Sequence, residues 1–329
     1  GNGSPWNQKV RSPDGGDNLF LSSIVALRPD TGEYVWHYQT TPGETWDYTA
    51  TQNIILADLE IEGELRQVLM QAPKNGFFYV IDRISGELIS AEPFVPINWA
   101  THIDMETGRP VENPEARYLS GGPALVKPSP FGAHNWHPMS FNPETGLVYF
   151  PVYDHSWLHV VDESWEYDRR ALNIAGDFAY TGPTTGEPVT PQGRLVAWDP
   201  IAQREAWRVE QPHPLSGGTL STSGNIVFQG RPDGVFRAYR ATDGEVLWEF
   251  EHETGILAAP ITYSVDGTQY VAVLSGYGGP EVLFNTGLAG GSVGPGRLLV
   301  FALGENASLP DPAPPLPPIE APTFELAAT

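Results

Sequence analysis

One frame recurs along the chain and limits what it can fold into. Ala26-Leu27-Arg28-Pro29-Asp30-Thr31-Gly32-Glu33-Tyr34-Val35-Trp36 places a tryptophan ten residues after a small residue, with an Asp-Thr-Gly turn between them. Ala238 to Trp248 repeats that spacing through Thr242-Asp243-Gly244, and Ala197 to Trp207 does so through Trp198-Asp199-Pro200, without the glycine. Val80-Ile81-Asp82-Arg83-Ile84-Ser85-Gly86-Glu87-Leu88 is a fourth copy with Ser90 in the tryptophan position, and Asn142-Pro143-Glu144-Thr145-Gly146-Leu147-Val148-Tyr149 carries the turn in a shifted frame. Each copy reads as strand, tight turn, strand. The full frames start at residues 26, 80, 197 and 238. Such unequal spacing suits sheet units that carry insertions, as in an all-β propeller of four-stranded blades. A small residue at one end and a ring at the other suit blade-on-blade packing. Trp36, Trp207 and Trp248 are therefore expected between successive blades.

Composition agrees with this. Among 329 residues there are 35 Gly, 32 Pro and 10 Trp, which favours many turns and large packing side chains over long helices. The segments 91–133 and 163–192, interrupting the repeats, read as long surface excursions, and Arg297 to Leu303 reads as a strand closing the last unit. Residues 1–304 then form the propeller region, and the proline-rich residues 305–329 form a linker or tail. A net charge of −22 argues against nucleic acid and anionic membranes as partners. No apolar run reaches the roughly 18 residues of a membrane span. With no cysteine, the chain can form neither a disulfide nor a thiolate metal site.

The candidate chemistry centres on Thr41-Pro42-Gly43-Glu44-Thr45-Trp46-Asp47-Tyr48-Thr49, a polar turn in which Asp47 stands between two aromatic residues. A poorly hydrated carboxylate either takes a cation partner or gains proton affinity, and both suit a general base. An ordinary Asx-type turn is the competing explanation for these nine residues alone.

Several further motifs carry a resemblance: Gly1-Asn2-Gly3-Ser4-Pro5-Trp6-Asn7, Gly16-Asp17-Asn18, Trp46-Asp47-Tyr48, Ala72-Pro73-Lys74-Asn75-Gly76-Phe77-Phe78-Tyr79-Val80, Gly132-Ala133-His134-Asn135-Trp136-His137-Pro138 and Gly217-Gly218-Thr219-Leu220-Ser221-Thr222. Together they make residues 1 to about 304 resemble the C-terminal half of the catalytic domain of the pyrroloquinoline-quinone (PQQ)-dependent alcohol dehydrogenases, eight-bladed quinoprotein propellers, and most closely the quinohaemoprotein branch. The resemblance implies PQQ- and calcium-dependent oxidation of alcohols to aldehydes in the bacterial periplasm, with a cytochrome c as electron acceptor. It implies that Asn2 and Asp47 lie at the calcium ion, a cation that takes oxygen donors. Asp47 would also be the base that takes the alcohol proton as hydride passes to the quinone C5. Lys74 and Asn135 would hydrogen-bond the quinone. A second aspartate two residues beyond the base marks the lanthanide-using branch; Thr49 in that position points to calcium. His134 and His137 have no acidic third ligand near them in sequence, which disfavours a metal there.

Three departures qualify the resemblance. The family's glutamate calcium ligand, its vicinal cysteine pair and the tryptophan floor of its pocket belong to the N-terminal half. Before Gly217 the family often carries a tryptophan, where this chain has Pro214-Leu215-Ser216. The tail is not followed by a Cys-x-x-Cys-His haem attachment, so the chain holds no covalent haem. About four blades would leave sheet edges and apolar faces uncovered, so an N-terminal half or self-association is expected to complete the ring. A noncatalytic repeat scaffold for protein binding is the alternative. It would need the frames but not Asn2, Asp47, Lys74 and Asn135 together.

Overall fold

The computed structural model describes residues 1–119, 122–177, 192–213, 215–276, 294–304 and 307–311. Strands dominate; the helical elements among the described residues are one turn at Gln8–Arg11 and a 3-10 turn at Pro114–Ala116. Three antiparallel sheets are complete, with four strands each in chain order. The first consists of Ile55–Ile61, Glu64–Gln71, Phe77–Asp82 and Leu88–Pro93; the second of Ser140–Asn142, Leu147–Asp154, Gln192–Asp199 and Arg204–Gln211; the third of Thr219–Thr222, Ile226–Gly230, Val235–Arg240 and Val246–Glu251. A two-stranded sheet, Ser23–Leu27 with Tyr34–Gln39, precedes them, and a three-stranded sheet, Ile261–Val265, Thr268–Ser275 and Arg297–Ala302, follows.

The four frames occupy equivalent places, each joining the last two strands of its sheet. Their end residues are direct cross-strand partners: Ala26 with Trp36, Val80 with Ser90, Ala197 with Trp207 and Ala238 with Trp248. In three of the four pairs a small alanine stands opposite the indole on one face of the strand pair. The intervening turn closes by the N–H of Gly32, Gly86 or Gly244 donating to the carbonyl four residues back, at 2.8, 2.8 and 2.9 Å. Each of these glycines has a positive φ of 71–80°, a conformation that glycine adopts without a Cβ clash. In the copy without glycine, Gln203 takes the left-handed conformation instead, at φ +50°. The shifted frame has a structural reason: Asn142 to Tyr149 joins the first two strands of its sheet rather than the last two.

Successive sheets pack face to face as propeller blades. Trp36 lies against Gly86 of the following sheet, where an added Cβ would come within 2.7 Å of its ring. Trp207 meets Gly244 in the same way, and its indole N–H donates to Ala241 O at 3.0 Å. Val68, Phe78 and Val80 pack with Phe150 and Trp198 between the first two complete sheets, and Tyr149 and Leu195 pack with Val227 and Tyr239 between the next two.

Two expectations need correction. Trp248 reaches Phe301 of the next sheet, with ring centroids 5.1 Å apart, but remains 40% exposed. The turn that would cover it lies beyond Ala302, where the described residues supply no fourth strand. Segment 91–133 is also not a surface excursion. It contains the hairpin Ala100–Asp104 with Arg109–Glu112, and its Ala124–Val126 strand pairs with Trp157–His159. Trp99, Ile103, Tyr118 and Val126 are buried in one core with Trp36, Tyr38 and Tyr79. Segment 163–192 is exposed over much of its described part, while residues 178–191 lie outside the described residues, as does most of the proline-rich tail.

Candidate active site

The stretch Thr41–Thr49 connects the two-stranded sheet to the first complete one, and it is built from the inside out. Trp46, Tyr48 and Trp99 are fully buried and pack on one another with centroids 5.4–5.7 Å apart. Each polar handle is satisfied: Trp46 Nε1 donates to Ala116 O at 2.9 Å, Tyr48 Oη to Pro128 O at 2.6 Å and Trp99 Nε1 to Asn75 O at 2.8 Å. The Arg117 guanidinium lies 5.0 Å from the Trp46 ring and is held by Glu112. These contacts anchor both neighbours of Asp47, whose φ is +69°.

The Asp47 carboxylate is thereby presented to two other segments. Lys74 Nζ donates to Oδ2 at 2.9 Å, and the Asn2 side-chain amide donates to Oδ1. The aspartate side chain is 17% exposed and the lysine 9%. Burial pushes the Asp47 carboxyl above its ordinary range, and the charge and hydrogen bond of Lys74 and the Asn2 amide only partly offset this.

Asn2 is fixed through Arg11. The guanidinium of that arginine donates to the carbonyls of Pro5, Trp6 and Glu44 and to Asn18 Oδ1. It packs so closely on Gly3 that a Cβ there would lie 2.4 Å from Arg11 Nη1. Asn7 caps the short helical turn by accepting from Lys9 N at 3.0 Å. Lys74 is fixed from the opposite side. Its carbonyl accepts from Ala133 N at 3.0 Å, and a Cβ on Gly132 would come within 2.4 Å of its Cγ.

Asn135 belongs to this same loop but not to the immediate cluster. Its Nδ2 donates to Phe131 O at 2.8 Å and its Oδ1 accepts from Trp136 N at 2.8 Å. An amide has further donor and acceptor capacity beyond those two bonds. With Phe131, His137, Tyr153, Leu215 and Ser216 it lines a recess; Pro214 lies outside the described residues. Both ring nitrogens of His134 lie 2.7 Å from carbonyl oxygens, of Ala72 and His137, so neither is turned to a metal. Burial lowers His137 to about 3, and its ring stacks on Trp136 at 4.0 Å. Among the described residues, no three His, Asp or Glu side chains cluster as a metal site.

The donors present fit a hard cation as part of its shell. The Asp47 oxygens and the Asn2 side-chain oxygen, brought in by rotating the amide, would sit together, and a cation would relieve the charge that burial penalises. Calcium takes about six to eight oxygens, so these two side chains supply only some of them.

Glu44 is the residue that sequence reasoning passed over. It is fully buried; its Oε1 accepts from Trp46 N at 2.6 Å and Tyr48 N at 2.8 Å, while Oε2 has no partner among the described residues. Its place three residues before Asp47 was the available signal.

The β-propeller model described as glucose/ethanol/alcohol dehydrogenase, PQQ, matches residues 9–101 and 119–271. The chain is 55% identical over 320 residues to the quinohemoprotein alcohol dehydrogenase ADH IIB of Pseudomonas putida, covering 95% of this chain and 45% of that one. It is 50% identical over 314 residues to the 1-butanol dehydrogenase (cytochrome c) of Thauera butanivorans, covering 93% and 45%. The structure of quinohemoprotein alcohol dehydrogenase from Comamonas testosteroni superimposes with a TM-score of 0.86 at 49% identity, over 94% of this chain and 47% of that one. The chain thus spans about half the length of the curated relatives it matches. From the face-to-face blades and a match over most of its length, the chain belongs to the PQQ family of glucose/ethanol/alcohol dehydrogenase β-propeller domains.

Proposed function

We propose that this chain forms the C-terminal part of the catalytic propeller of a PQQ- and calcium-dependent alcohol dehydrogenase, with Asp47 as the base. The observation that carries the reading is the Asp47 carboxylate, partly buried and bracketed by Lys74 on one oxygen and Asn2 on the other. When bound, PQQ supplies the hydride acceptor and calcium a Lewis acid. Asp47 takes the hydroxyl proton of the alcohol at a carboxylate oxygen, which Lys74 and Asn2 hold in place. The Lys74 ammonium, buried in the turn between Glu64–Gln71 and Phe77–Asp82, keeps Asp47 oriented and has further N–H donors for the quinone oxygens. Asn2 contributes a side-chain oxygen to calcium, and Asn135 a remaining amide donor to the quinone. Thr49, in place of a third charge at the ion, fits calcium rather than a trivalent metal.

An N-terminal half or a self-associated copy supplies the remaining blades, and a cytochrome c accepts the electrons in the periplasm. The relatives' names, quinohemoprotein alcohol dehydrogenase and 1-butanol dehydrogenase (cytochrome c), support both the reaction and the acceptor. A noncatalytic scaffold would have no use for a buried lysine–aspartate pair held from three segments.

Co-expression with the N-terminal region of such a relative, followed by addition of PQQ and calcium, is expected to yield alcohol oxidation with an artificial electron acceptor. The isolated chain is expected to turn over negligibly. Robust turnover by the isolated chain, or no turnover by the loaded assembly, would sink the proposal.

A further inference from the structure

We propose that Glu44 is a positioning residue for the candidate base: its buried carboxylate clamps the backbone on both sides of Asp47 and so holds that residue in the conformation that aims it at Asn2 and Lys74. The inference rests on the reading of Asp47 as the base.

Three observations converge on it. First, Asp47 is left-handed, at φ +69°, a region that aspartate tolerates better than most side chains but that still costs energy relative to the right-handed one. Second, the backbone N–H groups flanking it, those of Trp46 and Tyr48, both point at one oxygen of Glu44, at 2.6 and 2.8 Å. An oxygen accepting from residues on either side of Asp47 restricts rotation about that residue in both directions. Third, Glu44 is 0% exposed and its other oxygen is unpartnered among the described residues, so the hydrogen bonds of its carboxylate there are the two to these N–H groups.

The groups facing this carboxylate come from several segments. Arg11 donates to the Glu44 carbonyl and interacts with the carboxylate through space; Tyr118 and Asp47 also act on it electrostatically. Burial and the Asp47 charge raise Glu44 to about 7, while the two N–H bonds and Arg11 oppose the rise. The clamp does not depend on ionisation, because the carbonyl oxygen of a protonated acid accepts the same two bonds.

This makes the conservative variant decisive. Glu44→Gln keeps an oxygen acceptor for both N–H groups, whereas Glu44→Ala removes it. In the cofactor-loaded assembly with the N-terminal region, Glu44→Gln is expected to retain kcat within about threefold, while Glu44→Ala lowers it by about ten- to hundredfold with the KM for alcohol little changed, as a misplaced base would. Amide exchange at Trp46 and Tyr48 is expected to stay protected in Glu44→Gln and to lose protection in Glu44→Ala. A crystal structure of the Ala variant is expected to show residue 47 away from the left-handed region.

A folded Glu44→Ala variant with unchanged kcat and an unchanged φ at Asp47 overturns the proposal. So does a Glu44→Gln variant that loses amide protection or turnover to the extent expected for Ala, and this holds even if the Ala variant fails to fold. The reading of Asp47 fails separately, through an active Asp47→Asn variant, and the exchange and φ measurements would still decide the clamp.

Discussion

The connection from Gln39 to Ile55 and the connection from Glu251 to Ile261 hold the same place in the fold, each carrying the chain from the last strand of one blade to the first strand of the next. They are built from opposite materials. The first buries Glu44, Trp46 and Tyr48, ties the two rings to Ala116 O and Pro128 O, and presents Asp47 at the surface of that packing. In the second, His252, Thr254 and Ile256 are buried, but its carboxylate, Glu253, lies outward and pairs with Arg297 at 3.1 Å. Frames of the same spacing stand before both, so the two connections differ in what they bury and not in the hairpin that precedes them. The difference lies in whether a carboxylate is denied water.

The sharpest way to break this comparison is to neutralise one carboxylate in each connection. Asp47→Asn is expected to lower turnover of the loaded assembly by about 10²–10⁴-fold while leaving quinone binding largely intact; Glu253→Gln is expected to leave turnover unchanged. Steady-state kinetics with quinone titration decides it, and full activity of Asp47→Asn would remove Asp47 from the mechanism.

Next in size is the frame itself. Trp36, 9% exposed and covered by the Gly86 turn, is expected to cost about 3–5 kcal/mol on change to Ala. Trp248, 40% exposed, is expected to cost only about 1–2 kcal/mol on the same change. Urea unfolding of the two variants compares them directly; equal losses would mean that the cover given by the next blade is not what stabilises the ring.

A pH series tests the buried acid. Glu44 rises from an ordinary 4.5 to about 7, so the stability linked to its neutral form is fully present below pH 4.5 and is lost as pH rises through 7, amounting to roughly 3 kcal/mol. Asp47 shifts in the same direction, and the difference between wild type and Glu44→Gln isolates the Glu44 carboxyl together with its coupling to Asp47. That difference in unfolding free energy is expected to grow between pH 4.5 and 8 in favour of the Gln variant; a flat difference would mean that Glu44 is solvated. The smallest effect is expected at Gln203, where φ is +50°. Gln203→Gly is expected to stabilise the chain by about 1 kcal/mol or less, by relieving the left-handed strain.

The frames were legible because they are local. A small residue and a tryptophan paired across one hairpin leave a fixed spacing, and Gly or a tolerant polar residue marks the turn between them. The hairpin Ala100–Glu112 escaped because its Asp104-to-Gly108 turn lacks the terminal tryptophan, although Gly108 closes on Asp104 at 2.8 Å like the others. Trp248 was placed correctly in its sheet but not in its cover, since cover comes from a different blade. At the site, Asp47 stands out by its place between two aromatic residues, Asn2 and Lys74 through family motifs, and the structure sets those three side by side. Asn135 lies one loop turn away, with its amide engaged at Phe131 and Trp136. The burial of Glu44 was not readable, because the groups that face it, Arg11 and Tyr118, arrive from distant parts of the chain.

Each of the four frames carries a register shift immediately after its first residue, at Ala26/Leu27, Val80/Ile81, Ala197/Trp198 and Ala238/Tyr239. A bulge sets two residues against one, so the pairing beyond it depends on the turn length being kept. Genetic exchange that cuts within a frame therefore joins strands out of step and turns apolar side chains outward, whereas a crossover outside the frames leaves every pair aligned. For chimaeras between this chain and its relatives, the breakpoints that preserve folding are the short joints at 212–218 and 252–260, because the longer joint at 40–54 holds Asp47 and has to be inherited whole together with Asn2 and Lys74. Viewed as a product of duplication, the heritable unit of this propeller is the hairpin with its bulge, and a blade is assembled around it.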